Sequence, residues 1–456
     1  MSRRTVRGRV AAAALVSVVA LALVAPASAN GVPTAPRNII VFIGDGMGPE
    51  QVEIGRRIKG SPLFIDTVNW GNLVGQGQVS TLDTDSLEGV TDSAAGATAL
   101  ATGEETLNGW VGMVPSAPGS PDYPFPGTPV ENVLEEWEDN DKSSGLFSTG
   151  DLPDATPGAF SAHVSDRGED EEVAEQMHGQ HIEFLLGGRG GGVVAPLEGH
   201  DDVTYAKNLK TLNAAVDAYE DGDQQIYALM GSQTLAYAID REEEGAVGKH
   251  PTIAQGTAAA LDVLEEDDEG FFLMVEAGQI DWAGHSRDGA WTAAEMLAFD
   301  RAIETAFDWV HDDDFPERAD ETLIIVTADH ECGGLEVDST LDVTGMRRQT
   351  ASVEWIWGAI KRTPTATNIR SKMATYTGIS DLSTSEVNLI RGNKEMGIAD
   401  VLAERWNVTW AWEGTDEGEH TGTPVPIYAW GVDAASYAGT AYPNEDVGDQ
   451  LLSYLP

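Results

Sequence analysis

The segment Thr91-Asp92-Ser93-Ala94-Ala95-Gly96-Ala97-Thr98-Ala99 places a serine where a loop gives way to an Ala-rich helix ending near Gly103. Unpaired N–H groups and the dipole at a helix start stabilise negative charge, so an alkoxide or a phosphate at Ser93 would be favoured. Asp and Ser are also ordinary N-caps, and on its own the segment carries no more than that. Other residues supply metal-ligand chemistry. Asp281 and His285 are spaced i, i+4, so one helical turn can bring both to a single ion. Asp329 and His330 directly follow an apolar run, and His420 sits in the polar turn Gly418-Glu419-His420-Thr421-Gly422. Mixed imidazole and carboxylate sets suit zinc, whereas an oxygen set such as Asp45, Thr156 and Glu276 suits magnesium. A serine acting on a phosphate ester needs its pKa lowered, the phosphoryl oxygens held and the departing oxyanion stabilised. Two divalent ions about 4 Å apart can do all three.

Such groups must be brought together by the fold. Four nearly continuous apolar runs, Asn38 to Ile43, Ser144 to Ser148, Phe271 to Val275 and Leu323 to Thr327, predict buried parallel strands. Acids follow each of them: Asp45, Asp154, Glu276, and Asp329 with His330. Ligands of open α/β sheets bind beyond the carboxyl ends of the strands, so these acids are expected to converge on one edge. Helical periodicity runs through Glu172 to Leu186, Tyr205 to Tyr219, Thr252 to Leu264 and Trp291 to Val310. The Trp291, Met296, Phe299, Ile303, Phe307 and Val310 stripe of the last reads as core. Alternating strands and helices give the fold class: α/β, a doubly wound, mostly parallel sheet with helices on both faces. One domain is expected over 30–456, with insertions at about 109–141 and 342–413 near the active edge or a dimer contact. His178 and His181 are accompanied by no acid-bearing strand end and are assigned no metal.

Charge and processing narrow the setting. Arg3, Arg4, Arg7 and Arg9, an apolar run from Ala11 to Val24 and Ala27-Ser28-Ala29 read as a cleaved export signal over 1–29, with a possible twin-arginine route. The apolar run is shorter than the roughly 20 residues of a spanning helix, so no stable membrane anchor is expected. The net charge of −48 falls by four with loss of the signal, and acids such as Glu265-Glu266-Asp267-Asp268-Glu269 are spread along the chain. Self-repulsion of this size is screened in molar salt, where the Debye length is about 3 Å, and the composition reads as salt adaptation. Nucleic-acid binding through a basic surface is excluded by the same balance. A single cysteine, Cys332, leaves no internal disulfide framework. Asn407-Val408-Thr409 is a glycosylation sequon.

Taken in order, Gly44-Asp45-Gly46-Met47-Gly48, Asp92-Ser93-Ala94-Ala95, Asp154-Ala155-Thr156-Pro157, Val275-Glu276 with Asp281 and His285, Thr327-Ala328-Asp329-His330 and His420-Thr421-Gly422 resemble the alkaline phosphatases from Asn38 to Gly422. The resemblance implies that family's fold and hydrolysis of phosphate monoesters through a phosphoserine at Ser93. It implies Arg167 as a bidentate grip on two phosphoryl oxygens, steadied by Asp92. One zinc would lie on Asp281, His285 and His420, where water is activated and the leaving oxygen stabilised. A second would lie on Asp45, Asp329 and His330, holding Ser93 as an alkoxide. Magnesium would lie on Asp45, Thr156 and Glu276, with Asp154 reaching its water shell, and the assembly would be a homodimer. Two departures stand out. Trp282 follows Asp281 where some members carry Lys and others His or Trp, which bears on pH optimum and phosphate release, and the disulfides of some relatives cannot form. Cys332, two residues past the Asp329-His330 pair, reads as a small inert core residue. Two alternatives stay open. A phosphodiesterase of the same superfamily would usually use a Thr nucleophile and lack a counterpart of Arg167. An acidic envelope protein would bind metal without turnover.

Overall fold

The computed structural model describes residues 35–68, 77–80, 90–116, 126–220, 225–411, 420–437 and 442–455. The export signal over 1–29 and the Gly418-Glu419 part of the polar turn lie outside them. Ten strands share one sheet: Asn38–Ile43 (β1), Gly77–Ser80 (β2), Ser143–Asp151 (β3), Phe184–Gly188 (β4), Val203–Ala206 (β5), Gln225–Met230 (β6), Phe271–Glu276 (β7), Thr322–Thr327 (β8), Val425–Gly431 (β9) and Tyr442–Pro443 (β10). Their order is β10-β2-β9-β8-β1-β7-β3-β4-β6-β5. The seven from β8 to β5 are parallel, and β9 runs antiparallel to both β8 and β2. The four predicted strands are β1, β3, β7 and β8, the centre of the sheet. Every residue of β1, β7 and β8 is buried, as expected for strands covered on both faces. Each fully buried Ile or Phe there contributes about 1.5–3 kcal/mol. Register aligns Ile43 with both Thr327 and Glu276, and Glu276 with Ser148. Asp45, Glu276 and Asp329 therefore leave the sheet side by side.

Two helical expectations are corrected. The Glu172 to Leu186 run is a helix only over Asp170–Gly179; His181 turns at φ 59° and the chain continues as β4, because Phe184, Leu185 and Leu186 are buried in the sheet. Tyr205 likewise belongs to β5, and the helix begins only at Leu209, where Asn208 caps it. Short apolar runs fit either state, and here position in the sheet decides. Thr252 caps Ile253–Leu264, and Asp288 caps the 22-residue helix Gly289–Val310 whose aromatic stripe is core.

Within 109–141, the helix Val133–Glu138 packs Val133, Leu134 and Trp137 into the main core. Within 342–413, the helices Val353–Ile360, Ala366–Thr377 and Thr384–Trp406, the last broken at Lys394 (φ 59°), form a layer with a second apolar cluster that reaches Ile54, Ala290 and Ala293 of the body. Asn407 caps this layer in the left-handed conformation, its side-chain amide donating to the Thr340 carbonyl at 3.1 Å. Among the described residues no helix is long and apolar enough to cross a membrane.

Candidate active site

Ser93 opens the helix Ser93–Thr102, behind Asp92 as N-cap, whose Oδ1 accepts from Ala95 N at 3.0 Å. The side chain is 4 % exposed, and its Oγ lies 3.1 Å from His330 Nε2. This helix can sit against the end of β8 only because Gly96 lacks a side chain: a Cβ there would be 2.9 Å from the Asp329 carbonyl. Gly46 has φ +70°, and its missing Cβ would meet Asp281 Cα and Cys332 Cβ at 2.8 Å each. The glycines around Asp45 and Ser93 thus bring three strand ends into contact.

Asp45, Asp329 and His330 are buried together, with His330 Nε2 3.5 Å from Asp45 Oδ1 and from Asp329 Oδ2. Asp329 Oδ1 is fixed by Gly46 N (3.2 Å) and His330 N (2.9 Å). Asp281 and His285, one turn apart on Gln279–His285, stand 3.0 Å from each other (Oδ2 to Nε2). His420 Nε2 lies 3.4 Å from Asp281 Oδ1 and 3.3 Å from His285 Nε2, and its ring stacks on His330 at 3.6 Å. Ligand atoms of Asp281, His285, Cys332 and His420 lie within 4.8 Å of one another, as do those of Asp45, Asp281 and His330. Glu276 and Thr156 are both buried, and Asp154 stands two residues before Thr156 as a helix cap. Arg167 is held from two sides, donating to Asp92 Oδ2 (3.2 Å) and Asp154 Oδ1 (2.9 Å).

The electrostatics are those of a site awaiting cations. Burial, then Asp329 and Asp281, raises Asp45 well above the carboxylate range. Burial pushes Glu276 to about 8, aided by the charges of Asp154 and Asp329, and pushes Asp329 to about 6, aided by Asp281. Asp281 goes the other way: against burial, hydrogen bonds from His285 and His420 hold it well below its usual value. Burial and the neighbouring His420 keep His330 neutral, ready to ligate. Asp45 Oδ1, Asp329 Oδ2, Glu276 Oε2, Thr156 Oγ1 and His330 Nδ1 are buried with no hydrogen-bond partner. Buried polar atoms are nearly always paired, and anionic oxygens left over at a cluster of carboxylates and imidazoles fit divalent ions.

All the predicted residues meet at this edge. Sequence reasoning passed over those that hold them. Glu331 accepts from Gln51 Nε2 (2.7 Å), Thr421 Oγ1 (2.5 Å) and the Gly334 and Leu335 N–H groups. It also pairs with Thr421 in a two-residue bridge that sets His420 opposite Cys332. One carboxylate thereby links the β8 end to the segment bearing His420. Gln279 donates to the carbonyls of Thr149 and Leu235 (2.8 Å each), and Asn108 Oδ1 accepts from Asp92 N (2.9 Å). Only the adjacency of Glu331 to His330, and of Thr421 to His420, marked any of these in the sequence. Cys332 is fully buried, its thiol 3.5 Å from the Asp281 carbonyl and raised well above its usual value by burial and by Asp281.

A doubly wound sheet whose central strand ends carry a helix-borne serine, a doubly anchored arginine and clustered carboxylates and imidazoles defines an α/β phosphohydrolase. The chain belongs to the alkaline phosphatase family, whose profile matches residues 36–193 and 197–454. It is 31% identical over 437 residues to alkaline phosphatase 4 of Bacillus subtilis, covering 88% of this chain and 85% of that one. The cold-active alkaline phosphatase of the psychrophile Shewanella sp. superposes with TM-score 0.74 at 25% identity, over 92% of this chain and all of the other. That of Thermus thermophilus gives 0.76 at 24%, over 96% and 95%. The protein is accordingly a phosphomonoesterase, which removes the reading of a binding protein without turnover.

Proposed function

We propose that the chain hydrolyses phosphate monoesters in two displacements through a phosphoserine at Ser93, with two zinc ions and one magnesium resident. The observation that carries this is Ser93 Oγ placed 3.1 Å from His330 Nε2 and flanked by orphaned buried oxygens. Asp281, His285 and His420 would hold one zinc and Asp45, Asp329 and His330 the other. Asp45, Thr156 and Glu276 would hold magnesium, with Asp154 nearby. When bound, these ions lower the pKa of serine and water and stabilise developing oxyanion charge. Arg167 receives two phosphoryl oxygens with its planar fork, and Asp92 and Asp154 fix the plane of that fork beforehand. Ser93 Oγ bonds to phosphorus as its proton passes to solvent, and the ester oxygen leaves with the bonding pair, taking a proton from water to become the alcohol. Water then displaces Oγ, releasing inorganic phosphate. The N–H groups of the first turn of Ser93–Thr102 favour the anion throughout.

A monoester has three free oxygens, so two can enter the fork while the third faces the carboxylate and imidazole cluster; a diester has only two in all, which favours monoesters. Hydrolysis of para-nitrophenyl phosphate and its bis ester, at pH about 9 in molar salt, before and after chelation and metal restoration, tests the whole reading. Metal-dependent preference for the monoester is expected; preference for the diester would move the assignment to a phosphodiesterase. Export, salt adaptation and a homodimer complete the proposal, supported by the 1–29 pattern, the spread acidity and the family resemblance. A mature chain beginning at Asn30, an unfolding midpoint that rises with salt and a dimeric mass in solution are the expected results.

A further inference from the structure

A cavity of about 670 Å³ lies away from the Ser93 cluster, between the segment that follows β6 and the helical layer. Its walls carry three aromatic rings, Tyr237, Trp355 and Tyr376, and the carboxylates Glu244 and Glu354. Its lining includes neither lysine nor arginine, while Lys372 Nζ stands over one face of the Tyr376 ring, 5.8 Å from its centre. Arg241, next in sequence to the buried Asp240, turns its guanidinium to the carbonyls of His250 and Pro251 (2.7 and 2.9 Å). His250 uses Nδ1 to accept from Ala236 N, and burial with the charges of Arg241 and Lys249 lowers its pKa, so it brings no charge. Tyr237 donates to Glu354 Oε2 at 3.3 Å. Burial, then Asp240, raises Glu244 against the charge of Arg241, and burial, then Glu395 and Asp240, raises Glu354 against its hydrogen bond from Tyr237.

Aromatic rings beside carboxylates attract weakly hydrated organic cations, and here Trp355 and the Glu354 carboxylate line the cavity together. We propose that this cavity binds an organic ammonium group. It lies at the carboxyl end of β6, on the same sheet edge as Ser93. The two places are connected. Tyr237 packs edge-on to Trp282 (6.2 Å), the neighbour of Asp281, and Gln279 clamps the Leu235 carbonyl to the helix bearing Asp281 and His285. The ammonium group can belong to a free amine or to the alcohol part of an ester being hydrolysed, and the second source rests on the function proposed above.

Calorimetric titration of the metal-loaded protein with choline and with its uncharged isostere 3,3-dimethylbutan-1-ol tests the cavity without turnover. Saturable choline binding at least about tenfold tighter than the isostere is expected, weakened about tenfold by Glu354→Gln or by Tyr376→Leu. Asp313→Asn, at the far end of Gly289–Val310, should leave it unchanged and so exclude general attraction to an acidic protein. Equal binding of the isostere, indifference to both cavity variants, or no saturation by about 0.1 M choline would overturn the proposal. The kcat/KM values for phosphocholine and glycerol phosphate then separate the sources. A fall in Glu354→Gln confined to phosphocholine assigns the cavity to the substrate's alcohol; lost choline binding with both values unchanged assigns it to a free amine. Choline binding without hydrolysis of either ester would leave the cavity standing and remove the proposed function instead.

Discussion

Two groups of buried carboxylates, one around the start of the helix Gly289–Val310 and one at the sheet edge, are treated in opposite ways. At the seam with the helical layer, Asp288 accepts from the N–H groups of Ala290, Trp291 and Val353 and from Gln349. Asp240 takes both N–H and hydroxyl of Ser352, and Glu295 takes Ala238 N and Trp291 Nε1. The Asp45, Glu276 and Asp329 oxygens at the sheet edge are equally buried, yet one oxygen of each has no partner. A buried carboxylate satisfied by N–H donors holds structure together; one left unsatisfied costs stability until a cation arrives. The same residue type, at the same burial, is distinguished as structural or functional by its donors.

The contrast breaks most visibly at Asp329. Asp329→Asn should cut kcat/KM by at least about a thousandfold. The metal-free protein, however, should unfold at the same temperature or about 1–2 °C higher at pH 8. The amide oxygen can still accept from Gly46 and His330, while a charge opposed by burial and Asp281 is removed. A lower metal-free midpoint would erase the distinction. Asp288→Ala should do the reverse, costing about 2–4 kcal/mol in denaturant unfolding by stranding four donors, with kcat within about threefold of the parent. Between the extremes, Thr421→Val should weaken retention of one ion about tenfold in chelator competition, since the Glu331 link to the His420 segment is cut. Unchanged retention of every ion would show that Glu331 supports the fold alone.

The smallest effect is a pH slope. Burial pushes Glu295 from 4.5 to about 7, so between those values the folded state keeps a proton that the unfolded chain has released. Stability from this group is therefore full below 4.5, declines as pH rises to about 7 and then stays level. Glu295→Gln, compared with the parent by thermal unfolding from about pH 5 to 8, should flatten the decline; parallel slopes would mean that Glu295 stays ionised.

The sheet centre and the catalytic groups were legible because both leave local marks. Strands buried on both faces read as unbroken apolar runs, and acids placed just after them can only collect at one edge. The β4 strand and the Tyr205-Ala206 end of β5 were misread as helix, since Phe184-Leu185-Leu186 and Val203–Ala206 are too short to show a period. What lay beyond reach was the pairing of distant residues. Nothing local in Glu331 announces Gln51 and Thr421 as partners, and nothing in Asp240 announces Ser352, 112 positions away.

Asp240 and Asp288 seize the main-chain N–H groups of Ser352 and Val353, where the helix Val353–Ile360 begins. A main-chain N–H is offered by every residue except proline, so apart from Ser352 and Gln349, whose side chains also bind these carboxylates, the residues of that layer can drift without loosening its moorings. Evolution can then refashion the wall that carries Trp355 and Tyr376 while the machinery of the sheet edge is inherited intact, much as a tool head is changed on a fixed handle.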